Sequence, residues 1–145
     1  EGNTLLINKF KKLGVNLENI KILEKTDNFV EHLKCYNSID IALDTFPYNG
    51  ATTSFEAIWM GVPVLTIYGG KFNSRYGYSI NKNLDLNKFI ASSKKDFINK
   101  GISVSSNLDE LSKLRENIRS RSINSALFDT KKFNKNFIEE MNKLF

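Results

Sequence analysis

Apolar residues along this chain follow two patterns: short continuous runs, and longer segments in which they recur at helical spacing. Short runs bounded by polar residues are typical of buried strands. Apolar residues that recur every three or four positions are typical of helices that bury one face. The first half of the chain therefore predicts helices and strands in alternation: a helix at 4–15, a strand at 20–23, a helix at 27–37, a strand at 39–44, a helix at 53–60 and a strand at 62–67.

Helices dominate the second half of the predicted pattern. A glycine-containing loop at 68–74 leads into a helix, and a further short strand is expected within 86–92. Short strands that alternate with helices indicate a parallel sheet with helical crossovers. We expect an α/β fold, with a Rossmann-like parallel sheet flanked by helices, as one domain over residues 1–145. Three extra helices are expected at the C-terminal end, at about 93–105, 108–122 and 130–144.

The composition is that of a folded domain, with 41% hydrophobic residues in a chain of 145. One cysteine, Cys35, and one histidine, His32, are too few for a disulfide framework or a metal site built from cysteines or histidines. We therefore expect no metal, no cofactor and a reducing, cytoplasmic setting. No apolar run reaches the ~18 residues of a membrane span, and the signal-peptide pattern is missing from the sequence, so we expect no membrane partner.

The net charge of +5 is concentrated in the second half of the chain. Residues 1–70 carry six basic and eight acidic side chains, whereas residues 71–145 carry fifteen basic and eight acidic side chains. The basic residues of the second half lie mostly on predicted helices, between acidic ones, which is typical of a solvated helix face. No nucleic-acid-binding motif accompanies them, and we expect no nucleic-acid partner. A basic interaction domain remains an alternative function.

The chemistry is concentrated in the stretch DTFPYNGATTSFEAIWMGVPVLT, residues 44–66. Ligands of open parallel sheets bind at the carboxyl ends of the strands, and one predicted strand ends at Asp44. Asn49-Gly50 can adopt the positive φ of a sharp turn, and Gly50 leaves room for a ligand against the backbone. The next helix then begins with unpaired N–H groups and the hydroxyls of Thr52 and Thr53. This arrangement predicts a site for an anion, best for a diphosphate.

The same residues allow a purely structural interpretation. Thr53 and Glu56 form the pattern of a capping box, in which both side chains serve only the helix terminus. Apolar residues of this helix, Phe55, Ile58 and Trp59, are expected in the core. The next loop also leaves two interpretations open, because Ser74 and Arg75 form either a second edge of a sugar pocket or a plain glycine turn into a helix.

The run DIALDTFPYNGATTSFEAIWMGVPVLT, followed by SRYGYS, resembles the C-terminal catalytic half of the O-linked N-acetylglucosamine transferase family. That family includes bacterial tetratricopeptide-linked members and the plant SPINDLY proteins. EHLKCYNSIDIALD and SALFDTKKF also fit its pattern. The resemblance implies the C-terminal domain of a glycosyltransferase with two Rossmann domains (GT-B), which inverts the sugar's anomeric centre and uses no metal. Its substrates would be a UDP-sugar, carrying N-acetylglucosamine or a related hexose, and serine or threonine of an acceptor protein.

The resemblance also implies roles for individual residues. Thr52, Thr53 and the backbone at Ala51 would hold the pyrophosphate, and Gly50 would belong to the same UDP-sugar site. Glu56 would bind the ribose hydroxyls. His32 would lie near the nucleoside and phosphates, and Tyr48 would pack against the uracil. No residue of this chain is assigned as a catalytic base.

Two positions depart from the family pattern. Ala51 stands where animal members have a histidine, and Cys35 stands where they have an arginine. The family's first strand and loop of this domain, with a glutamine and a lysine, are expected before residue 1. We therefore expect a fragment that is inactive alone and whose partners are an N-terminal Rossmann domain and tetratricopeptide repeats. An apolar stripe in the last helix, with Phe133 and Phe137, makes self-association of the isolated chain an expectation. A non-catalytic nucleotide-binding module is a further alternative.

Overall fold

The computed structural model describes residues 2–144, which divide into two compact units, one up to His32 and one from Leu33 onwards. In the first unit, helix α1 (Gly2–Lys12) ends before Gly14, whose φ of +73° suits a residue without a side chain. A 3-10 turn follows at Leu17–Asn19. Helix α2 (Phe29–Cys35) begins in this unit. The helices predicted at 4–15 and 27–37 are thereby confirmed, with shorter bounds.

The strand predicted at 20–23 is wrong. Within residues 2–144 this segment pairs with no strand, and the backbone N–H of Ile20 instead closes the preceding 3-10 turn on Leu17 O. A short apolar run shows where a strand could form, but a strand exists only where a neighbour accepts and donates its hydrogen bonds.

The second unit contains a three-stranded parallel sheet in the order β1-β2-β3. The strands are β1 (Ala42–Leu43), β2 (Val64–Ile67) and β3 (Ile90–Ala91). Helix α3 (Thr52–Trp59) connects β1 to β2, and helix α4 (Tyr76–Asn83) connects β2 to β3. The expected α/β class with parallel strands is confirmed. Strand β1 is shorter than the predicted 39–44, because its ladder with β2 covers only two residue pairs.

Three helices complete the second unit: α5 (Lys94–Ser105), α6 (Leu108–Ile123) and α7 (Thr130–Met141). Their starts follow from side-chain caps, since Ser93, Asn107 and Asp129 each accept a hydrogen bond from the backbone N–H three residues later. These helices confirm the prediction from helical spacing to within a few residues.

The core lies around the central strand β2, all four residues of which are buried, as its continuous apolar run predicts. Asn81 of α4 is also fully buried, and its side-chain amide donates to Val64 O and to Phe89 O, at 2.8 and 3.2 Å. It thereby ties α4 to the central strand and to the turn before β3. The buried apolar cluster comprises Ala57, Ile58, Val62, Val64, Leu65, Ile80, Leu84, Leu86, Phe89, Leu111 and Ile118.

The apolar side of α3 packs into this core, as predicted. Ile58 is fully buried and Phe55 packs against the buried cluster. Trp59 is half-buried between the ring of Phe128 and the guanidinium of Arg119, which lies 4.7 Å from its ring centroid. The N-terminus of α3 is therefore held at the carboxyl edge of the sheet by packing along the rest of the helix.

Candidate functional site

The loop between β1 and α3 is organised by the carboxylate of Asp44, the residue that follows β1. Its Oδ1 accepts the backbone N–H of Gly50 at 2.7 Å and that of Thr45 at 2.9 Å. Its Oδ2 accepts the hydroxyl of Thr66 in β2 at 2.7 Å. Oδ1 thus fixes the backbone that leads into α3, and Oδ2 ties Asp44 to the central strand.

Asn49 holds the same loop through both its side chain and its backbone. Its side chain is fully buried and donates to Thr45 O at 2.8 Å, while its backbone N–H donates to Asn73 O at 2.9 Å. The second of these bonds joins this loop to the loop that follows β2. The two loops at the carboxyl edge of the sheet are therefore one connected structure.

The positive φ expected at Asn49-Gly50 is wrong. Among residues 2–144 only Gly14, Gly61 and Asp85 have positive φ. Gly50 is required for space instead: a Cβ atom there would lie 2.6 Å from Thr53 Oγ1 and 2.9 Å from Ser54 Oγ. The room at Gly50 is taken by two hydroxyls of the following helix.

Helix α3 begins at Thr52 without a side-chain cap. Ala51 occupies the N-cap position, and its carbonyl accepts the N–H groups of Ser54 and Phe55, each at 3.1 Å. The amides of Ala51, Thr52 and Thr53 have no hydrogen-bond partner within the described chain, and all three residues are exposed. The capping-box interpretation is therefore wrong, because Thr53 lies inside the helix. The start of α3 offers three unpaired donors to solvent.

Glu56 faces Tyr36, which lies in the 3-10 turn Tyr36–Ser38 directly after α2. The single hydroxyl proton of Tyr36 is shared between Glu56 Oε2 at 3.1 Å and Thr53 O at 3.3 Å. Burial, followed by this hydrogen bond and the charge of Glu56, raises the pKa of Tyr36 to about 12. In the sequence Tyr36 falls within the helix predicted at 27–37, and the spacing of residues gives no sign of this contact.

A cleft of about 150 Å³ opens beside the first turn of α3. Its lining includes Tyr36, Asp44, Thr45, Gly50, Thr53 and Ser54. The structure thus brings Gly50, Thr53 and the organising residues Asp44 and Tyr36 to one opening. Ala51 and Thr52 adjoin it along the chain. The arrangement can receive an anion on backbone N–H groups at the positive end of a helix dipole.

Tyr48 lies outside the lining of this cleft. Its side chain is 64% exposed, and its backbone carbonyl accepts the hydroxyl of Thr45. His32 belongs to the first unit, where its ring stacks on Phe29 with the centroids 6.3 Å apart. The roles of Tyr48 and His32 beside the nucleotide stay predictions.

The loop after β2 uses Ser74 internally. Ser74 is 3% exposed, and its hydroxyl donates to Lys71 O at 2.8 Å and accepts the N–H of Lys71 at 3.2 Å. These bonds match the interpretation of this loop as a plain turn into a helix. Arg75 is exposed, with Nη1 3.4 Å from Gly69 O and its guanidinium 4.9 Å from the ring centroid of Tyr78. A contact of Arg75 with sugar stays a prediction.

The described part of the chain has neither a cluster of metal-binding side chains nor a helix that could cross a membrane. Within residues 2–144, no three His, Cys, Asp or Glu side chains are grouped so that they could hold a metal ion. None of the helices described there has the length and apolar character needed to cross a membrane.

Residues 1–137 match the model of the family described as Glycosyl transferase family 41. Two curated plant relatives are both described as probable UDP-N-acetylglucosamine–peptide N-acetylglucosaminyltransferase SPINDLY. The Solanum lycopersicum protein is 32% identical over 126 residues, which are 87% of this chain and 14% of that protein. The Petunia hybrida protein is 36% identical over 106 residues, which are 73% of this chain and 11% of that protein.

A solved structure shows the same fold. A lysine-to-methionine mutant of the Thermobaculum terrenum O-GlcNAc transferase superposes with a TM-score of 0.88 at 30% sequence identity. The match covers 97% of this chain and 27% of that chain. The chain therefore spans about a quarter of that solved chain and a smaller share of the plant relatives.

Proposed function

Because the chain belongs to glycosyl transferase family 41, we propose that it is the UDP-sugar-binding half of a glycosyltransferase. The enzyme would be inverting and metal-independent, and would transfer N-acetylglucosamine or a related hexose to serine or threonine of an acceptor protein. The activity for which the plant relatives are named supports the donor and the peptide acceptor. The likeness to the solved transferase supports the GT-B domain.

One observation carries the proposal: the amides of Ala51, Thr52 and Thr53 have no partner within the described chain, and they lie at a helix N-terminus beside an open cleft. A diphosphate would accept hydrogen bonds from these amides and from the threonine hydroxyls. The helix dipole would add favourable electrostatic energy of about 0.3 to 1 kcal/mol. Because the donors are fixed before the ligand arrives, they need no reorganisation when charge develops on the departing UDP.

The carboxylates of Asp40, Asp44 and Glu56 are all hydrogen-bonded or ion-paired within the protein. Both oxygens of Asp44 accept hydrogen bonds from the protein, and Asp40 pairs with Arg115 at 2.5 Å. Glu56 accepts the hydroxyl of Tyr36. These contacts support the view that this chain binds and orients the donor, and that the acceptor's proton is removed by a group that it does not supply.

The proposal includes a larger enzyme, because the chain spans 14% of the Solanum lycopersicum relative. An N-terminal Rossmann domain would complete the donor site and bring the acceptor, and tetratricopeptide repeats would bind the acceptor protein. The single Cys35 is compatible with a reducing, cytoplasmic setting in a bacterium. The alternatives of a non-catalytic nucleotide-binding module and of a basic interaction domain stay open to the test below.

The test is titration calorimetry of UDP with the full-length protein and with its Thr52→Ala/Thr53→Ala variant. Each lost hydroxyl hydrogen bond to a charged group costs about 1.5 to 3 kcal/mol, so the double variant is expected to bind UDP at least tenfold more weakly. Thr130→Ala is the matched control, since Thr130 is the exposed first residue of α7.

Unchanged affinity in the double variant would refute the site. Turnover of UDP-N-acetylglucosamine with a peptide acceptor separates a transferase from a binding module. A basic interaction domain would instead bind polyanions with a steep salt dependence and would ignore UDP.

A further inference from the structure

Tyr36 connects two parts of the second unit that are separate in the sequence. It lies in the 3-10 turn Tyr36–Ser38, and its hydroxyl reaches the first turn of α3. Its single hydroxyl proton lies within hydrogen-bond distance of two acceptors, Glu56 Oε2 at 3.1 Å and Thr53 O at 3.3 Å. Thr53 lines the cleft beside α3. Glu56 is the residue for which the family resemblance implies contact with the ribose.

Tyr36 is a hydrogen-bond donor over the whole neutral range. Burial and the neighbouring Glu56 carboxylate raise its pKa to about 12, so the phenol keeps its proton. A protonated hydroxyl beside a carboxylate forms a charge-assisted hydrogen bond, which is stronger than a neutral one. The bond restricts the rotation of the Glu56 carboxylate before any ligand arrives.

The same residue forms part of the wall of the cleft. Tyr36, Gly50 and Thr53 all line the opening of about 150 Å³. A ligand that rests its phosphates on the start of α3 would extend along a surface that Tyr36 shapes. Tyr36 therefore acts on the site both through its ring and through its hydroxyl.

We propose that Tyr36 is a positioning residue that holds the Glu56 carboxylate in the orientation in which it accepts the ribose hydroxyls of the donor nucleotide. This inference rests on the proposed function, because it assumes that a nucleotide occupies the cleft. A carboxylate whose orientation is already fixed loses less conformational entropy when it binds the ribose. The affinity for the ribose is higher for this reason.

The test compares three ligands, UDP, 2′-deoxy-UDP and 3′-deoxy-UDP, on the full-length protein by calorimetry. Tyr36→Phe removes only the hydroxyl. It is expected to weaken UDP binding by about tenfold. One deoxy analogue lacks the hydroxyl that Glu56 contacts, and the binding of that analogue is expected to weaken much less. The preference for the ribose hydroxyl therefore shrinks in the variant. A residue that served only stability would change the affinity for all three ligands by the same factor.

Two further variants complete the design. In a Glu56→Ala background, Tyr36→Phe is expected to change UDP affinity no further, because the two residues act through one interaction. Tyr76→Phe is the matched control: the hydroxyl of Tyr76 makes no hydrogen bond within residues 2–144, and its ring packs against Phe72.

The outcomes separate the two proposals. If Tyr36→Phe lowers the affinity for UDP and both deoxy analogues by the same factor, or lowers none of them, the role of Tyr36 is overturned. The proposed function still stands in that case, because the wild-type protein binds UDP. Failure of the wild-type protein to bind UDP would overturn the proposed function itself. Additive effects of Tyr36→Phe and Glu56→Ala would also overturn the positioning role.

Discussion

At the scale of single residues, two hydroxyl groups from the first turn of α3 crowd the Cα atom of Gly50. Ser54 Oγ donates to Gly50 O at 2.9 Å, and Thr53 Oγ1 occupies the space where a Cβ atom would lie. The backbone N–H of Gly50 is held at the same time by Asp44. The loop and the helix therefore meet at a residue that cannot carry a side chain without moving one of them.

Gly50→Ala is expected to destabilise the protein and to weaken UDP binding. The added methyl group would displace the Thr53 hydroxyl, and overpacking of this kind costs about 1 to 3 kcal/mol. Thermal unfolding and UDP titration measure the two effects. Gly70→Ala is the control, because nothing lies within 4 Å of a Cβ atom there. Equal behaviour of the two variants would contradict this account of Gly50.

At the scale of elements, the site depends on how β1, β2 and α3 are joined. Asp44 links the end of β1 to the hydroxyl of Thr66 in β2 and to the turn before α3. Gly77 of α4 packs against the side chains of Asp44 and Thr66. A Cβ atom at Gly77 would lie 2.5 Å from both Asp44 Oδ2 and Thr66 Oγ1. The carboxylate thus fixes the direction in which α3 begins.

Asp44→Asn is expected to lower the stability by about 1.5 to 3 kcal/mol, because the new amide cannot accept all three hydrogen bonds that the carboxylate accepts. Urea unfolding measures this loss, and UDP titration is expected to show a parallel loss of affinity. Asp85→Asn is a suitable control: Asp85 is exposed and has φ of +53°, which asparagine tolerates. Within residues 2–144 its carboxylate makes only a long ion pair with Arg121. A stable Asp44→Asn variant with full UDP affinity would show that the loop is held by other contacts.

At the scale of the whole molecule, α7 leaves an apolar stripe exposed. Phe133 and Phe137 are 63% and 54% exposed, and their rings stack on each other with the centroids 5.9 Å apart. Ile138 extends the same stripe. Exposed apolar area of this kind favours association, because its burial removes it from water.

The isolated 145-residue chain is therefore expected to self-associate as its concentration rises. Sedimentation equilibrium should show a mass above 16.6 kDa that depends on concentration. Phe133→Asp with Phe137→Asp is expected to restore the monomer. Ile102→Asp is the control, since Ile102 is an equally exposed apolar residue on α5. A chain that stays monomeric at high concentration would disprove the expectation.

Periodicity identified the elements that are long or fully buried. The run VPVLTI predicted β2 because a strand buried on both faces needs apolar residues at every position. Helical spacing predicted α5 and α6 to within a few residues, and the structure shows that the side chains of Ser93 and Asn107 cap their first turns. The same reasoning failed at 20–23, where an apolar run has no strand to pair with inside residues 2–144.

The sequence by itself determined the order of strands and helices from Leu33 onwards, the position of α3 after β1, and the family. These follow from residues that are neighbours in the chain or that recur at fixed spacing. Only the tertiary structure decided that the amides at Ala51, Thr52 and Thr53 lack partners within the described chain, and that Tyr36 reaches Glu56, 20 positions away. Contacts across such separations depend on how helices pack on the sheet, and the spacing of apolar residues does not encode that packing.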